Sequence, residues 1–192
     1  YQLAKDFPNH IFFVDEAYAG FSEEPFASAH VIKQALQLKN IIMGRSFSKF
    51  FGVPGLRLGY LILNDQIKKK LNLSAYYLGN SYLAELIGIN LINNYQFYAR
   101  RAISIKRIRQ ETIDRVFINL PIDFFDSHAN FVFGKVKPHI NVEKLRSFLE
   151  SKDIAIKFIS QKEDGEFIRI TLAPKSIMKK LFSTIENFAS IS

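Results

Sequence analysis

Short runs of apolar residues set the tightest limit on the fold of this chain. Three of them are His10–Val14, Asn40–Gly44 and Leu56–Leu63. Continuous apolar runs of this length are typical of strands buried on both faces of a sheet. Helical patterns at Pro25–Lys39 and Asp65–Leu71 alternate with them. This alternation predicts a largely parallel α/β sheet in the first part of the chain.

The pattern changes after Leu120. Further strands and helices then follow in a different order, which predicts a smaller α+β unit. The strands are expected at Asn130–Val136, Ile154–Ile159 and Phe167–Leu172, and the helices at Val142–Ser151 and Lys175–Phe188. A long helix near residues 95–117 is the expected connector. We therefore predict two domains, residues 1–108 and residues 109–192.

The positive charge of the chain raises the question of a nucleic-acid partner. The net charge is +8, and much of the excess lies on the long helix, where Tyr98, Ala102, Ile105, Ile108 and Thr112 repeat at helical spacing as one stripe. We interpret its basic residues as a solvated face and expect no nucleic-acid partner, because no recognition motif accompanies them.

The absence of cysteine excludes disulfides and thiolate chemistry. No apolar run is long enough to span a membrane, and we expect a cytoplasmic protein.

Three polar motifs follow or precede the buried strands of the first part. They are Asp15-Glu-Ala-Tyr18, Gly44-Arg-Ser-Phe-Ser-Lys49 and Gly52-Val-Pro-Gly-Leu-Arg-Leu-Gly-Tyr60. In open α/β sheets, ligands bind at the carboxyl ends of the strands. The sequence therefore predicts a site at one sheet edge, with Glu16 as a structural residue and no role assigned to Arg45.

One group of side chains in these motifs suits a phosphate. Arg57 offers positive charge and Ser46 and Ser48 offer hydroxyl donors, a combination that favours an anionic oxygen ligand. Glycines let the backbone approach a ligand closely and adopt positive φ, and three stand in the third motif, Gly52, Gly55 and Gly59.

The remaining polar side chains suit a carbonyl-bearing pyridine. Lys49 is a candidate Schiff-base nucleophile. Asp15 is suited to a protonated ring nitrogen, and Tyr18 is suited to a ring oxygen. Pyridoxal phosphate satisfies all these demands, because it combines a phosphate, a pyridine nitrogen and an aldehyde.

The three motifs, in this order, resemble those of the class I/II aminotransferases of the pyridoxal-phosphate fold type I superfamily. Within it the histidinol-phosphate aminotransferase branch is the most similar. The resemblance implies the C-terminal part of a mostly parallel large domain followed by a small α+β domain. It also implies that Lys49 carries the cofactor, that Asp15, Tyr18, Ser46, Ser48 and Arg57 bind it, and that amino acids and oxo compounds are the substrates.

Two later strands extend the resemblance. Phe167-Ile-Arg169-Ile-Thr-Leu172 resembles the strand whose arginine binds the substrate carboxylate, which assigns substrate binding to Arg169. In the histidinol-phosphate branch an arginine of the preceding strand contacts the substrate phosphate. Lys157 occupies that stretch here, and a lysine lacks the bidentate fork of an arginine. A phosphorylated substrate is therefore left open.

The same resemblance predicts that the chain is the C-terminal half of a longer enzyme. Family members carry a further N-terminal portion that completes the cofactor pocket, and they are usually homodimers. We expect the 192-residue chain to be catalytically inactive alone. Two alternatives stay open: a cofactor-binding sensor domain of a transcriptional regulator, and a lyase on the same scaffold such as a phosphothreonine decarboxylase.

Overall fold

The structure, a computed structural model, describes residues 1–22, 29–71 and 79–191. It divides the chain into two compact units, Tyr1–Ala102 and Ile103–Ser192. Each unit contains one β-sheet. The division falls within a long helix, slightly earlier in the chain than the boundary expected after residue 108.

The sheet of the first unit has three strands in the order β1-β2-β3, namely β1 (Phe12–Asp15), β2 (Ile41–Ser46) and β3 (Gly59–Leu63). Strands β1 and β2 are parallel, with Asp15 opposite Gly44. Helix α2 (Ala29–Gln37) lies in the connection between them, as a parallel pair requires. The predicted helix at Pro25–Lys39 is thus present, while its residues 25–28 lie outside the described part of the chain.

Strand β3 departs from the parallel arrangement that the alternation predicts. It pairs antiparallel with β2, with Ser46 opposite Gly59. The connection between the two strands contains only a short 3₁₀ turn, Pro54–Leu56, rather than a crossover helix. Without that helix the chain turns back at the edge where β2 ends. This reversal is what brings the third motif to the same edge as the other two.

The two faces of this sheet are covered differently. Ile41 and Met43 point toward helices α1 (Gln2–Asp6) and α2 and pack with Ala4 and Ala35. On the other face Phe13 and Leu61 keep 61% and 44% of their surface exposed. The exposed face is therefore the one available to a ligand.

A buried asparagine attaches the start of the chain to the sheet. The Asn40 side-chain amide donates to the backbone carbonyls of Ala4, Phe7 and His10 at 2.8, 3.1 and 3.0 Å. Since Asn40 lies directly before β2, these bonds fix the segment that leads into β1. Because this buried amide is hydrogen-bonded, it holds the segment in one position while adding only modestly to the free energy of unfolding.

Three more helices belong wholly or partly to the first unit: α3 (Asp65–Leu71), α4 (Tyr82–Asn93) and the start of α5 (Tyr95–Asn119). Helix α4 buries Ala84, Gly88 and Leu91. Large apolar residues also lie on its exposed side: Tyr82, Leu83, Leu86, Ile89 and Ile92. Among the described residues, none of the helices is both long and apolar enough to cross a membrane.

The second unit is an antiparallel sheet packed against helices on one face. Its strands have the order β4-β5-β7-β6, with β4 at Ile122–Phe124, β5 at Phe131–Val136, β6 at Lys157–Gln161 and β7 at Gly165–Thr171. Helices α6 (Val142–Glu150) and α7 (Lys175–Ile191) follow β5 and β7. The Asn141 side chain caps α6 by accepting from the Lys144 amide at 2.9 Å.

The apolar core of the second unit is extensive. Fully buried side chains from its sheet and helices meet in one cluster, including Val116, Val132, Leu145, Ile168 and Ile185. The stripe predicted on α5 contributes to this burial, since Ile108 and Thr112 are buried. Arg109 is also buried and donates to the Ala129 carbonyl at 2.9 Å.

Two isoleucines on α7 provide a matched test of this core. Ile185 is 2% exposed and Ile177 is 60% exposed. We expect Ile185→Ala to lower the free energy of unfolding by about 2–5 kcal/mol, because it removes buried methyl groups and leaves a cavity. Ile177→Ala is expected to change it by less than about 0.5 kcal/mol. Urea unfolding curves measure both, and equal losses would contradict this packing.

Candidate active site

The three motifs meet at one edge of the first sheet. Parallel pairing places the carboxyl ends of β1 and β2 side by side, and antiparallel pairing adds the amino end of β3. Asp15 ends β1, Ser46 ends β2 and Gly59 begins β3. Segments distant in the sequence therefore converge on a single line, as ligand sites in open α/β sheets do.

A shallow cleft of about 390 Å³ lies along this edge. Asp15 and Ser46 line it together with Phe13, Gly44 and Leu61 on the exposed sheet face, and Ala17, Arg45, Gly59 and Tyr60 complete the lining. Gly44 has no side chain to occupy the floor, where an added Cβ would lie 2.5 Å from the Phe13 ring. Of the predicted ligands in the described residues, Tyr18, Ser48, Lys49 and Arg57 are not part of this lining.

The Asp15 carboxylate is held at the surface by a local turn. Its Oδ1 accepts from the Ala17 backbone amide at 2.9 Å. Such Asx turns fix the direction of an aspartate at a strand end. The side chain remains exposed, which suits a carboxylate that meets a cationic ligand.

Lys49 and Tyr18 are brought together at the same edge. The Lys49 ammonium lies 5.5 Å from the centroid of the Tyr18 ring. Tyr18 follows β1 and Lys49 follows β2, so their contact depends on the pairing of these strands. An exposed amine beside a phenol is a chemically competent pair for capturing a carbonyl compound.

The loop that carries Lys49 is anchored by phenylalanines on both sides. Phe47 and Phe50 are buried. Phe50 stacks on Tyr95 with ring centroids 5.6 Å apart, and Phe51 meets Tyr98 edge to face at 5.0 Å. Aromatic pairs of this kind hold a loop more firmly than isolated contacts. These contacts therefore hold the backbone at Lys49 in one position.

The residues predicted to bind phosphate lie on both sides of this loop. The Ser46 hydroxyl accepts from the Ser48 amide at 3.0 Å, which makes a tight turn after β2. Arg57 has a left-handed backbone with φ of 52° and donates from Nη1 to the Pro54 carbonyl at 3.1 Å. Its guanidinium is exposed. Of these three residues Ser46 lines the cleft, while Ser48 and Arg57 are outside its lining.

The three glycines of the third motif serve different purposes. Gly52 has φ of 71°, a conformation that favours glycine. At Gly59 an added Cβ would lie 2.8 Å from the Arg45 carbonyl oxygen, so the strand approach is close. Gly55 has neither a positive φ nor a protein atom within 4 Å of an added Cβ, and its expected part in close approach to a ligand stays a prediction.

Sequence reasoning missed a buried ion pair behind the edge. Arg45 Nε donates to Glu16 Oε2 at 2.7 Å, and the guanidinium also hydrogen-bonds the Tyr60 phenol. The sequence does contain a hint of this pair. Arg45 continues the alternation Ile41, Met43, and a charged residue in such a row of inward-facing apolar residues indicates a buried partner.

Arg169 lies in the second unit, on the exposed face of β7. Its guanidinium carbon is 5.5 Å from the Phe131 ring centroid, and Lys157 lies opposite it in the β6–β7 register. Both cations line a cleft of about 330 Å³ to which Lys180 also contributes. The sequence analysis did not anticipate Lys180. Asp153 lies in the same lining, and the remaining excess of positive charge favours an anionic ligand.

A family model for aminotransferase class I and II matches residues 1–185. The chain belongs to this aminotransferase family. The resemblance carried by the three motifs is thereby confirmed for nearly the whole chain.

Individual relatives agree with this assignment. A histidinol-phosphate aminotransferase of Methanococcoides burtonii is 32% identical over 174 residues, which cover 88% of this chain and 45% of that protein. The solved histidinol-phosphate aminotransferase of Clostridium acetobutylicum has a TM-score of 0.84 and 25% identity, covering 100% of this chain and 57% of that one. The predicted fold class, α/β of fold type I followed by α+β, is confirmed. The chain spans about half the length of the curated relatives it matches.

A solved relative with a bound cofactor has the same fold. The histidinol-phosphate aminotransferase of Sinorhizobium meliloti, in complex with pyridoxal-5'-phosphate, has a TM-score of 0.79 and 19% identity, covering 96% of this chain and 50% of that one. In the present chain one sheet edge carries an exposed carboxylate, a phenol beside an amine, and two hydroxyls with a guanidinium. This donor set, with the glycine floor of the cleft, fits such a cofactor. Within the described residues, no three acidic or histidine side chains cluster as metal ligands.

Two glycines of one motif provide a matched test of the edge geometry. We expect Gly59→Ala to lower the free energy of unfolding by about 1–3 kcal/mol, because its Cβ would overlap the Arg45 backbone. Gly55→Ala should leave stability unchanged or raise it by up to about 1 kcal/mol, since it has open space and restricts the unfolded chain. Thermal or urea unfolding measures the pair, and a harmless Gly59→Ala would refute the close approach.

Proposed function

We propose that the chain provides the lysine-bearing part of a pyridoxal-phosphate-dependent aminotransferase of the histidinol-phosphate type. The reaction is the transfer of an amino group between an amino acid and a 2-oxo acid or phosphorylated ketone. The observation that carries the proposal is the Lys49 ammonium 5.5 Å from the Tyr18 ring, at the edge where Asp15 and Ser46 line a cleft. The family match supports it.

Each site residue then has one task. When bound, pyridoxal phosphate supplies an electron sink for the amino group and its carbon. Lys49 attaches the cofactor through its Nζ and moves a proton at the substrate Cα. Asp15 keeps a proton on the ring nitrogen, because a carboxylate stabilises the positive charge that this proton creates. Tyr18 hydrogen-bonds the ring oxygen beside Lys49.

The phosphate of the cofactor is assigned to three residues. The Ser46 and Ser48 hydroxyls donate hydrogen bonds, while Arg57 provides charge. Ser46 ends β2, Ser48 follows it and Arg57 precedes β3, so strand pairing determines where they lie.

Substrate binding is assigned to the second unit. Arg169 binds the substrate carboxylate, since its planar guanidinium can donate two parallel hydrogen bonds. Lys157, opposite Arg169 in the register, contributes a point charge to a second anionic group. We further propose that residues 1–108 are part of the large domain and residues 109–192 the small domain. The active protein is proposed to be a cytoplasmic homodimer.

Reductive trapping tests the cofactor assignment. The chain is incubated with pyridoxal phosphate, reduced with borohydride and digested, and the phosphopyridoxyl group is located by mass spectrometry. We expect most of the label on Lys49, because Tyr18 and the anchored loop present its amine at the cofactor edge. Lys39→Ala serves as the control and leaves the label in place. Label spread evenly over the lysines would overturn the proposal.

Asp15→Asn tests the ring-nitrogen assignment with the same assay. The amide keeps the shape of the side chain and removes its charge. A charge-assisted hydrogen bond is worth about 1.5–3 kcal/mol, so the half-saturating cofactor concentration should rise by about ten- to a hundredfold. A variant that labels at the native concentration would show that Asp15 does not face the ring.

Arg169→Lys tests the substrate assignment. In an active assembly containing the chain, the loss of the bidentate fork should raise KM for the amino donor by about tenfold or more, with a smaller change in kcat. The Lys49→Ala variant of the same assembly should have no transaminase activity. Decarboxylation of the amino donor without amino transfer would favour the lyase alternative, and cofactor binding without turnover would favour the sensor.

A further inference from the structure

A buried ion pair lies directly behind two of the assigned cofactor ligands. Glu16 follows Asp15 in sequence, and Arg45 precedes Ser46. Arg45 Nε donates to Glu16 Oε2 at 2.7 Å, and their side chains are 5% and 13% exposed. Neither residue has been given a task in the proposed reaction.

Burial of this pair is costly for the fold. Removing two charges from water costs several kcal/mol per ion in an effective sense, and apolar residues of similar size often stabilise such positions equally well or better. Arg45 continues a row formed by Ile41 and Met43, which are both in the apolar core. Stability alone would therefore favour an apolar residue at position 45.

Strand geometry links the pair to the ligands. Successive side chains of a strand point to opposite faces. Arg45 is therefore on the face of β2 opposite to Ser46, and its ion pair with Glu16 lies on that face. Asp15 and Ser46 line the cleft, to which Arg45 and Tyr60 also contribute. The Glu16 amide also donates to the Gly44 carbonyl at 2.8 Å, which extends the β1–β2 ladder past Asp15.

The third strand takes part through Tyr60, the neighbour of Gly59. The Tyr60 phenol is hydrogen-bonded to the Arg45 guanidinium. Burial lowers the pKa of Arg45, but the hydrogen bonds to Tyr60 and Glu16 outweigh it and leave that pKa above the ordinary arginine value. Arg45 is thus a permanent cation that connects all three strands at the edge.

We propose that the Arg45–Glu16 ion pair is a positioning element for the cofactor edge. It fixes the ends of β1 and β2 from behind, so that the Asp15 carboxylate and the Ser46 hydroxyl keep the directions that the cofactor requires. The inference rests on the proposed function, because that function assigns Asp15 and Ser46 to the cofactor. Arg45 and Glu16 are proposed to act through those two residues, as positioning residues.

The double variant Glu16→Leu/Arg45→Met separates positioning from stability. Apolar residues of similar length fill the same space without leaving an unpaired charge, so urea unfolding should give native stability or higher. Amide hydrogen exchange should become faster at Ala17 and Ser48, whose amides donate to Asp15 and to Ser46. The pyridoxal phosphate concentration that half-saturates Lys49 labelling should rise by about tenfold to a hundredfold.

Two comparison variants make the result specific. Arg115→Met/Glu186→Leu removes another ion pair, in the second unit, and should leave Lys49 labelling and exchange at Ala17 and Ser48 unchanged. Glu16→Gln retains an acceptor for Arg45 and the shape of the side chain, and should show a smaller rise in the half-saturating concentration than the double variant. If the double variant does not fold, Glu16→Gln carries the test, with a rise above native as the expected result.

The outcomes distinguish this inference from the proposed function. Failure of the native chain to label at Lys49 would overturn the proposed function and, with it, the cofactor role of the pair. Native labelling together with an unchanged half-saturating concentration in the double variant would overturn only the positioning role. Faster exchange without weaker labelling would likewise overturn the positioning role, since the pair would then order the turns without serving the cofactor.

Discussion

The hydrogen bonding of β2 to a parallel neighbour on one side and an antiparallel neighbour on the other determines the geometry of the first unit. A parallel pair sends both strand ends to one edge, and an antiparallel return brings the next strand back to it. Asp15, Ser46 and Gly59 are neighbours for this reason alone. The contact of Lys49 with Tyr18 and the cleft in front of Gly44 follow from the same ladder. Any change that shifts the β2 register would move every assigned ligand at once.

The sequence predicts the elements well and their orientation less well. The apolar run Asn40–Gly44 corresponds to β2 (Ile41–Ser46), and the stripe on α5 correctly places Ile108 and Thr112 inside. These features depend on local periodicity, which a single sequence displays directly. The direction of β3 depends on what fills the connection before it, and the glycines and proline of that segment favour a chain reversal as well as a ligand loop. Arg45 was missed because its partner Glu16 is distant in sequence, and periodicity cannot reveal a pairing.

The two units bury their apolar residues to different degrees. In the second unit, side chains such as Val132, Leu145 and Ile168 are fully removed from water. In the first, Phe13 and Ile89 are more than half exposed. Because apolar burial is the main favourable contribution to folding, the second unit has the firmer core. The assigned cofactor ligands thus stand on the unit whose order depends more on hydrogen bonds and the buried ion pair.

The left-handed backbone at Arg57 lowers conformational stability, while the side chain at the same position is the one assigned to the cofactor phosphate. An L-residue in that region, here with φ of 52°, costs about 1–2 kcal/mol relative to a right-handed one, and the bond to the Pro54 carbonyl offsets part of this cost. Glycine would remove the strain and the guanidinium together. A laboratory selection for thermostable variants would therefore favour glycine at this position, and the selected proteins would lack the guanidinium that we propose for the cofactor phosphate.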